Sequence, residues 1–145
     1  MSFDLALDKG TLTIGADGDI GKVRNTSKLV QDVLKGVYTP SGSNPYLVNY
    51  GNPLTFQNIG EVLNTDFMEA RVSNDILQIV QMLQSVQRNQ ELVQEVTPSE
   101  KIKGIVNISA LKDSIDPRQF DIDITILTGA LETIKLPTFT FSTTI

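Results

Sequence analysis

The chain has 145 residues, of which 40% are hydrophobic and 20% charged, with a formal net charge of -5. That length and composition fit one folded domain with a sizeable core and exclude global disorder. There is no Cys and no His, which excludes disulfides, thiolate metal sites and Ser-His or Cys-His catalysis, while the acidic balance without a basic run argues against nucleic-acid binding.

No apolar run approaches the roughly 20 residues that span a bilayer, so no membrane partner is expected. The start, Met1-Ser2-Phe3-Asp4-Leu5, has neither a basic n-region nor an apolar h-region. It therefore does not read as a signal peptide, and synthesis in the cytoplasm is expected.

Thr11-Leu12-Thr13-Ile14 alternates polar and apolar residues, and Ile20 and Val23 resume the apolar positions after Gly15-Ala16-Asp17-Gly18-Asp19. This predicts a small hairpin turning at Asp17-Gly18. The two aspartates lack the further carboxylates and closing Glu of a calcium loop, so the reading is a turn. Leu29, Val30, Val33, Leu34 and Val37 then form one helical stripe, capped by Asn25 or Thr26, weakened at Gly36 and stopped at Pro40. Residues 39–53 are rich in Gly, Pro, Asn and Ser and read as a loop, with Tyr46, Leu47, Val48 and Tyr50 as apolar anchors.

Phe56, Ile59 and Leu63 predict a short helix over 55–63, after which Thr65 or Asp66 caps a long one. Its apolar stripe is Met68, Val72, Ile76, Ile79, Val80, Leu83 and Val86; Gln78, Gln81, Gln84, Gln87 and Arg88 make the polar face, and Ser73-Asn74 is a weak point. The period then changes to two. Ile102, Gly104, Val106, Ile108 and Ala110 alternate with Lys101, Lys103, Asn107 and Ser109, and Phe120, Ile122, Ile124 and Ile126 with Asp121, Asp123 and Thr125. These are two half-buried antiparallel strands joined through Asp116-Pro117, with lysines and aspartates placed to pair across the exposed face. In the tail, Ile134 and Leu136 lie on one parity and Phe139 and Phe141 on the other, so a break is expected at Pro137. The fold class is therefore α+β: helices packed on a small antiparallel sheet, in one domain (1–145) with a core over about 10–128 and an extended C-terminal tail over about 129–145.

The chemistry-bearing patterns are sparse. Phosphate-loop and dinucleotide glycine motifs are absent. Glu61, Asp66, Glu69 and Asp75 are the remaining carboxylate candidates for a muramidase, but they fall on polar helix faces and there is no Trp to stack on sugars. The reading is not an enzyme, with no catalytic, cofactor-binding or metal residue. Lys101 and Lys103 beside Glu100 form either a binding patch or a solvated strand edge. Phe139 and Phe141 either insert into a partner by strand addition or pack on the chain's own sheet.

Several short segments occur in a fixed order: Asp17-Gly18-Asp19-Ile20, then Thr39-Pro40-Ser41-Gly42, then Asn49-Tyr50-Gly51-Asn52-Pro53-Leu54, followed by a long helix, a proline junction and a strand pair. This order resembles the baseplate wedge or tail sheath initiator family of contractile-tailed bacteriophages, sometimes labelled lysozyme-like and related to type VI secretion baseplate subunits. The resemblance covers roughly residues 10–128. It implies a non-enzymatic virion structural protein of the tail baseplate. Its implied partners are other baseplate wedge proteins and the tail sheath protein, with tail tube or hub proteins as further candidates. The implied function is to initiate sheath assembly by presenting a sheet edge to the first sheath ring. A related fold serves as an anti-adaptor, which gives an alternative reading as an intracellular regulatory binding module. The family often carries Glu-Pro-Arg before the first strand of the final hairpin; here Thr97 and Ser99 flank Pro98, so the bidentate guanidinium contact of that motif is missing. The residues assigned to protein interaction are Pro98 at this junction, Lys101, Lys103, Ile105 and Asn107 along the strand, and Phe139 and Phe141 in the tail.

Overall fold

A computed structural model describes residues 2–53, 65–116 and 118–142 and gives the expected α+β fold. The chain begins with a small β arm made of four two-residue strands, β1 (Asp4–Leu5), β2 (Leu7–Asp8), β3 (Thr11–Leu12) and β4 (Lys22–Val23). β2 and β3 are joined at Lys9-Gly10, whose φ angles of 49° and 82° are both positive. That backbone follows the right-handed twist of the paired strands. The hairpin predicted over Thr11–Val23 forms only at its tip, where Ile14 bridges Ile20 and the Gly15 N–H donates to the Asp19 carbonyl at 2.7 Å; β3 and β4 do not pair with each other. The chain before it also joins: β1 pairs with β4 and β2 with β3, and around Ala6 the Ala6 N–H donates to Gly21 O and Thr13 N–H to Ala6 O.

Helix α1 (Asn25–Tyr38) buries Leu29, Val33 and Val37, with Val30 and Leu34 half-buried beside them. The sequence predicts a side-chain cap from Asn25 or Thr26. Instead Arg24 holds the cap position without capping the helix through its side chain, and the first amide, Asn25 N–H, donates to the Glu100 carboxylate at 3.2 Å. Gly36 has a packing reason: a Cβ there would lie 2.9 Å from Ile79 Cγ2, so α1 crosses the next helix with no room for a side chain. In the following loop only Tyr50 of the four expected anchors packs against the core; Tyr46, Leu47 and Val48 are exposed. The anchor is a polar residue. Asn52 is fully buried, with its side-chain amide donating to Val37 O at 3.1 Å and its backbone amide to Thr39 O at 2.7 Å.

Helix α2 (Thr65–Gln90) continues through Ser73-Asn74 and buries Met68, Val72, Ile76, Ile79, Val80 and Leu83 against α1 and the sheet. The short helix expected over 55–63, and the side chains of Thr65 and Asp66 expected to cap α2, lie outside the described residues. A 3-10 turn, Pro98–Glu100, leads into β5 (Ile102–Lys112), which pairs antiparallel with β6 (Gln119–Thr128) as the alternation predicts. The tail folds back on the chain's own sheet. β7 (Thr133–Lys135) and β8 (Phe139–Ser142) both pair antiparallel with the other side of β6, and the pair is interrupted around Pro137, where parity switches from Leu136 to Phe139 as expected. β6 is thus the centre of the sheet, and its inward residues Phe120, Ile122, Ile124 and Ile126 are at most 1% exposed.

The alternation of β5 is less simple than its sequence. The register slips between Ile102 and Gly104 and again between Ile105 and Asn107, one extra residue each time. Two bulges shift the inward set to Ile102, Ile105, Ile108 and Ala110, and leave Val106 57% exposed.

Candidate functional site: the sheet edges and their junction

The ladder bonds fix which backbone groups face outward. Asp113 N–H donates to Gln119 O at 2.9 Å, so odd-numbered residues of β6 bond toward β5. Leu136 N–H donates to Ile124 O and Thr128 N–H to Glu132 O, both at 2.9 Å, so even-numbered residues of β6 bond toward β7 and β8. It follows from the registers that Ile105, Ile108, Ala110 and Lys112 turn their backbone groups away from β6 on one edge. Thr133, Lys135, Thr140 and Ser142 do so on the other.

The β5 edge is clasped by α2. At its start the Ile102 N–H donates to Gln87 Oε1 at 2.9 Å, the Gln87 side-chain amide donates to Glu100 O at 2.6 Å, and Gln84 donates to Ile102 O at 3.2 Å. At its end the Lys112 N–H donates to Glu69 Oε1 at 3.1 Å. Two residues expected on the solvated face of α2 therefore turn toward the sheet: Gln87 is buried and Gln84 half-buried. A polar residue one step from the apolar stripe, opposite an unpaired strand end, is the signal that identifies them. On the other edge, β7 and β8 pair with no strand except β6 among the described residues.

The junction before β5 is organised by Glu100, which is 1% exposed. Its carboxylate accepts from the Ser2 hydroxyl at 2.8 Å, from Asn25 N–H at 3.2 Å and from Thr97 N–H at 3.2 Å. A negative group at the start of α1 also complements the helix dipole. Glu100 thus ties the N-terminus, α1 and the 3-10 turn to the strand that follows.

The seven residues assigned to interaction do not form one surface. Pro98 and Lys103 are exposed, whereas the Lys101 side chain is spent on an ion pair with Glu91. Ile105 faces the core because of the first bulge, so its assignment to an exposed interface is corrected. Asn107 is exposed in side chain, but its backbone faces β6 in the ladder. Phe139 is 7% exposed and its ring lies 5.9 Å from that of Tyr38, so it packs on its own domain and is not free to insert elsewhere. Phe141 is paired with Phe120 in register, and its side chain lies outside what is described. The predicted cross-strand lysine–aspartate pairs are also replaced, because Asp121 and Asp123 stand opposite Leu111 and Ser109. Asp123 instead accepts from the Thr138 hydroxyl at 2.6 Å and lies 3.6 Å from Lys135, while Asp121 accepts from Thr140 at 2.9 Å. The Thr138 hydrogen bond, with help from Lys135 against some desolvation, holds the Asp123 carboxyl below the usual range.

Of the muramidase candidates, Glu69 spends its carboxylate on the Lys112 amide. Asp75 is buried, with one oxygen lacking a hydrogen-bond partner. Burial raises its pKa, partly offset by Arg71. Glu61 and the Asp66 side chain lie outside the described residues. Among the described residues no cluster of acidic side chains is placed to hold a metal ion, and no helix is long and apolar enough to cross a membrane.

No protein-family model matches this chain, and no curated protein matches it.

Proposed function

We propose that this protein is a structural component of a contractile phage tail baseplate that starts sheath assembly by offering a sheet edge to the first ring of sheath subunits. It acts there without catalysis, bound to other wedge proteins within the virion. The motif order in the sequence supports the reading. The observation that carries it is the contrast between the edges: α2 clasps both ends of β5, whereas β7 and β8 keep an outer edge with no strand on it among the described residues. Strand addition uses such an edge, because backbone bonds give a geometrically strict joint and alternate side chains give specificity. A joint of this kind suits a part that must carry the pull of a contracting sheath.

The edge can be blocked without breaking the sheet. Thr133 turns its N–H away from β6, so proline there removes an outward donor and no ladder bond. Purified tails are expected to contain the protein, and tails built with a folded Thr133→Pro variant are expected to have baseplates without sheath. Normal sheath on Thr133→Pro baseplates, or absence of the protein from purified tails, contradicts the proposal; absence together with a soluble partner favours the regulatory-module reading.

A further inference from the structure

Between the N-terminal arm and the outer side of α1 runs a groove of about 790 Å³. Its floor is Val30, Leu34 and Tyr38, one helical stripe at steps of four, and its far wall carries Leu7 and Val23. The arm is held in place by Gln31, whose side chain accepts from Leu7 N–H at 2.9 Å and donates to Leu5 O at 2.8 Å and to Asp4 at 3.0 Å. Lys35 adds an ion pair to Asp4 at 2.6 Å. The polar groups of Gln31 and Lys35 are thereby consumed by the arm. Small-molecule sites need a few convergent polar groups, and this groove has little to offer one.

What it does have is a neighbour. Tyr38, at the end of the floor, is 56% exposed and contacts the ring of Phe139, the first residue of β8. The apolar floor therefore meets the strand edge whose Thr140 and Ser142 backbone groups face outward. Among the described residues, Lys9 and Lys35 are the charged ones lining the groove, in a chain of net charge -5. Lys9 sits at the tip of the arm in the β2–β3 turn.

We infer that the groove receives the inward-facing side chains of the strand that joins the β7–β8 edge, and that this strand is extended, apolar at alternate positions and carries a carboxylate beside them. The inference rests on the proposed function and deepens it. Strand addition supplies the backbone bonds, and alternate side chains of the incoming strand turn to the side where Val30, Leu34 and Tyr38 lie. The carboxylate meets Lys9.

The test uses tails assembled with the full-length protein. Tyr38→Asp is expected to enter baseplates and block sheath growth, and Lys9→Glu to slow it several-fold in a salt-dependent way. Because Tyr38→Asp disturbs the Phe139 contact, a photo-crosslinking residue placed at position 38 provides a second readout. It is expected to capture one extended segment of the sheath protein, with crosslinks at every other residue. Normal sheath with Tyr38→Asp and no crosslink from position 38, while Thr133→Pro blocks assembly, overturns the groove and leaves the edge standing. A block by Tyr38→Asp with normal assembly on Thr133→Pro overturns the strand as occupant and the edge with it. Crosslinks confined to wedge proteins also overturn the inference.

Discussion

The two edges of the sheet differ in how they are finished. The β5 edge is eleven residues long and carries two bulges, and both of its ends are bonded by side chains from α2. The opposite edge is made of two short strands separated at Pro137, and polar Thr133, Lys135 and Thr140 dominate it. Both are ways of discouraging indiscriminate pairing. A helix clasp closes an edge to any strand that would need the clasped groups. Shortness, a proline and a lysine make an edge selective, because only a strand that also gains contacts elsewhere repays the interruption.

Substitutions along the clasp separate its parts. Glu100→Ala has the largest expected effect, because three donors from Ser2, Asn25 and Thr97 lose a buried acceptor. A loss of about 3 kcal/mol in urea unfolding is expected, with α1 frayed at its start. Gln87→Ala is expected to cost about 2 kcal/mol and to speed hydrogen exchange at the Ile102 amide. Glu69→Ala, at the half-exposed far end, is expected to cost about 1 kcal/mol and to act on the Lys112 amide alone. On the other edge, Thr133→Pro is expected to leave stability within about 0.5 kcal/mol of the parent. A large loss there would mean that Thr133 N–H is already bonded, and the contrast between the edges would fail.

The smallest effect concerns pH. The Asp123 carboxyl is held below its ordinary value of 3.8. A carboxyl with a depressed folded pKa contributes stability above its unfolded pKa and loses it as pH falls through the folded one. The Thr138–Asp123 bond, which spans the break at Pro137, should therefore persist at neutral pH and be lost in acid below 3.8. A carboxyl carbon titration of Asp123 by NMR checks this, and a midpoint at or above the ordinary value contradicts it.

Much of the core was legible because it obeys one period per element. Leu29, Val33 and Val37 of α1, the α2 stripe from Met68 to Leu83, and Phe120, Ile122, Ile124 and Ile126 of β6 all face inward as their spacing predicts, while Val86 at the end of the stripe is only half-buried. The parity switch at Pro137 was legible for the same reason, since proline cannot donate to a ladder. The misses lie where a residue answers to a distant backbone. The start of α1 is satisfied by Glu100, 75 positions away, so no local cap signal exists. Gln84 and Gln87 look like solvent-facing helix residues until the strand end beside them is known. Ile105 and Val106 exchange roles through two bulges, which short β-branched runs do not announce. Of the candidate site, Pro98 and Lys103 are exposed, whereas Phe139 packs on the chain's own core, because β8 pairs with β6, a register that the alternation of the tail alone does not assign.

The most direct test is amide hydrogen exchange measured on the protein alone and after addition of the tail sheath protein. Exchange is expected to slow at Thr133, Lys135, Thr140 and Ser142, with Ile102 and Lys112 already slow and unchanged. Slowing at Ile105, Ile108 and Ala110 with no change at Thr133 and Lys135 would place the joint on the clasped edge and contradict the account.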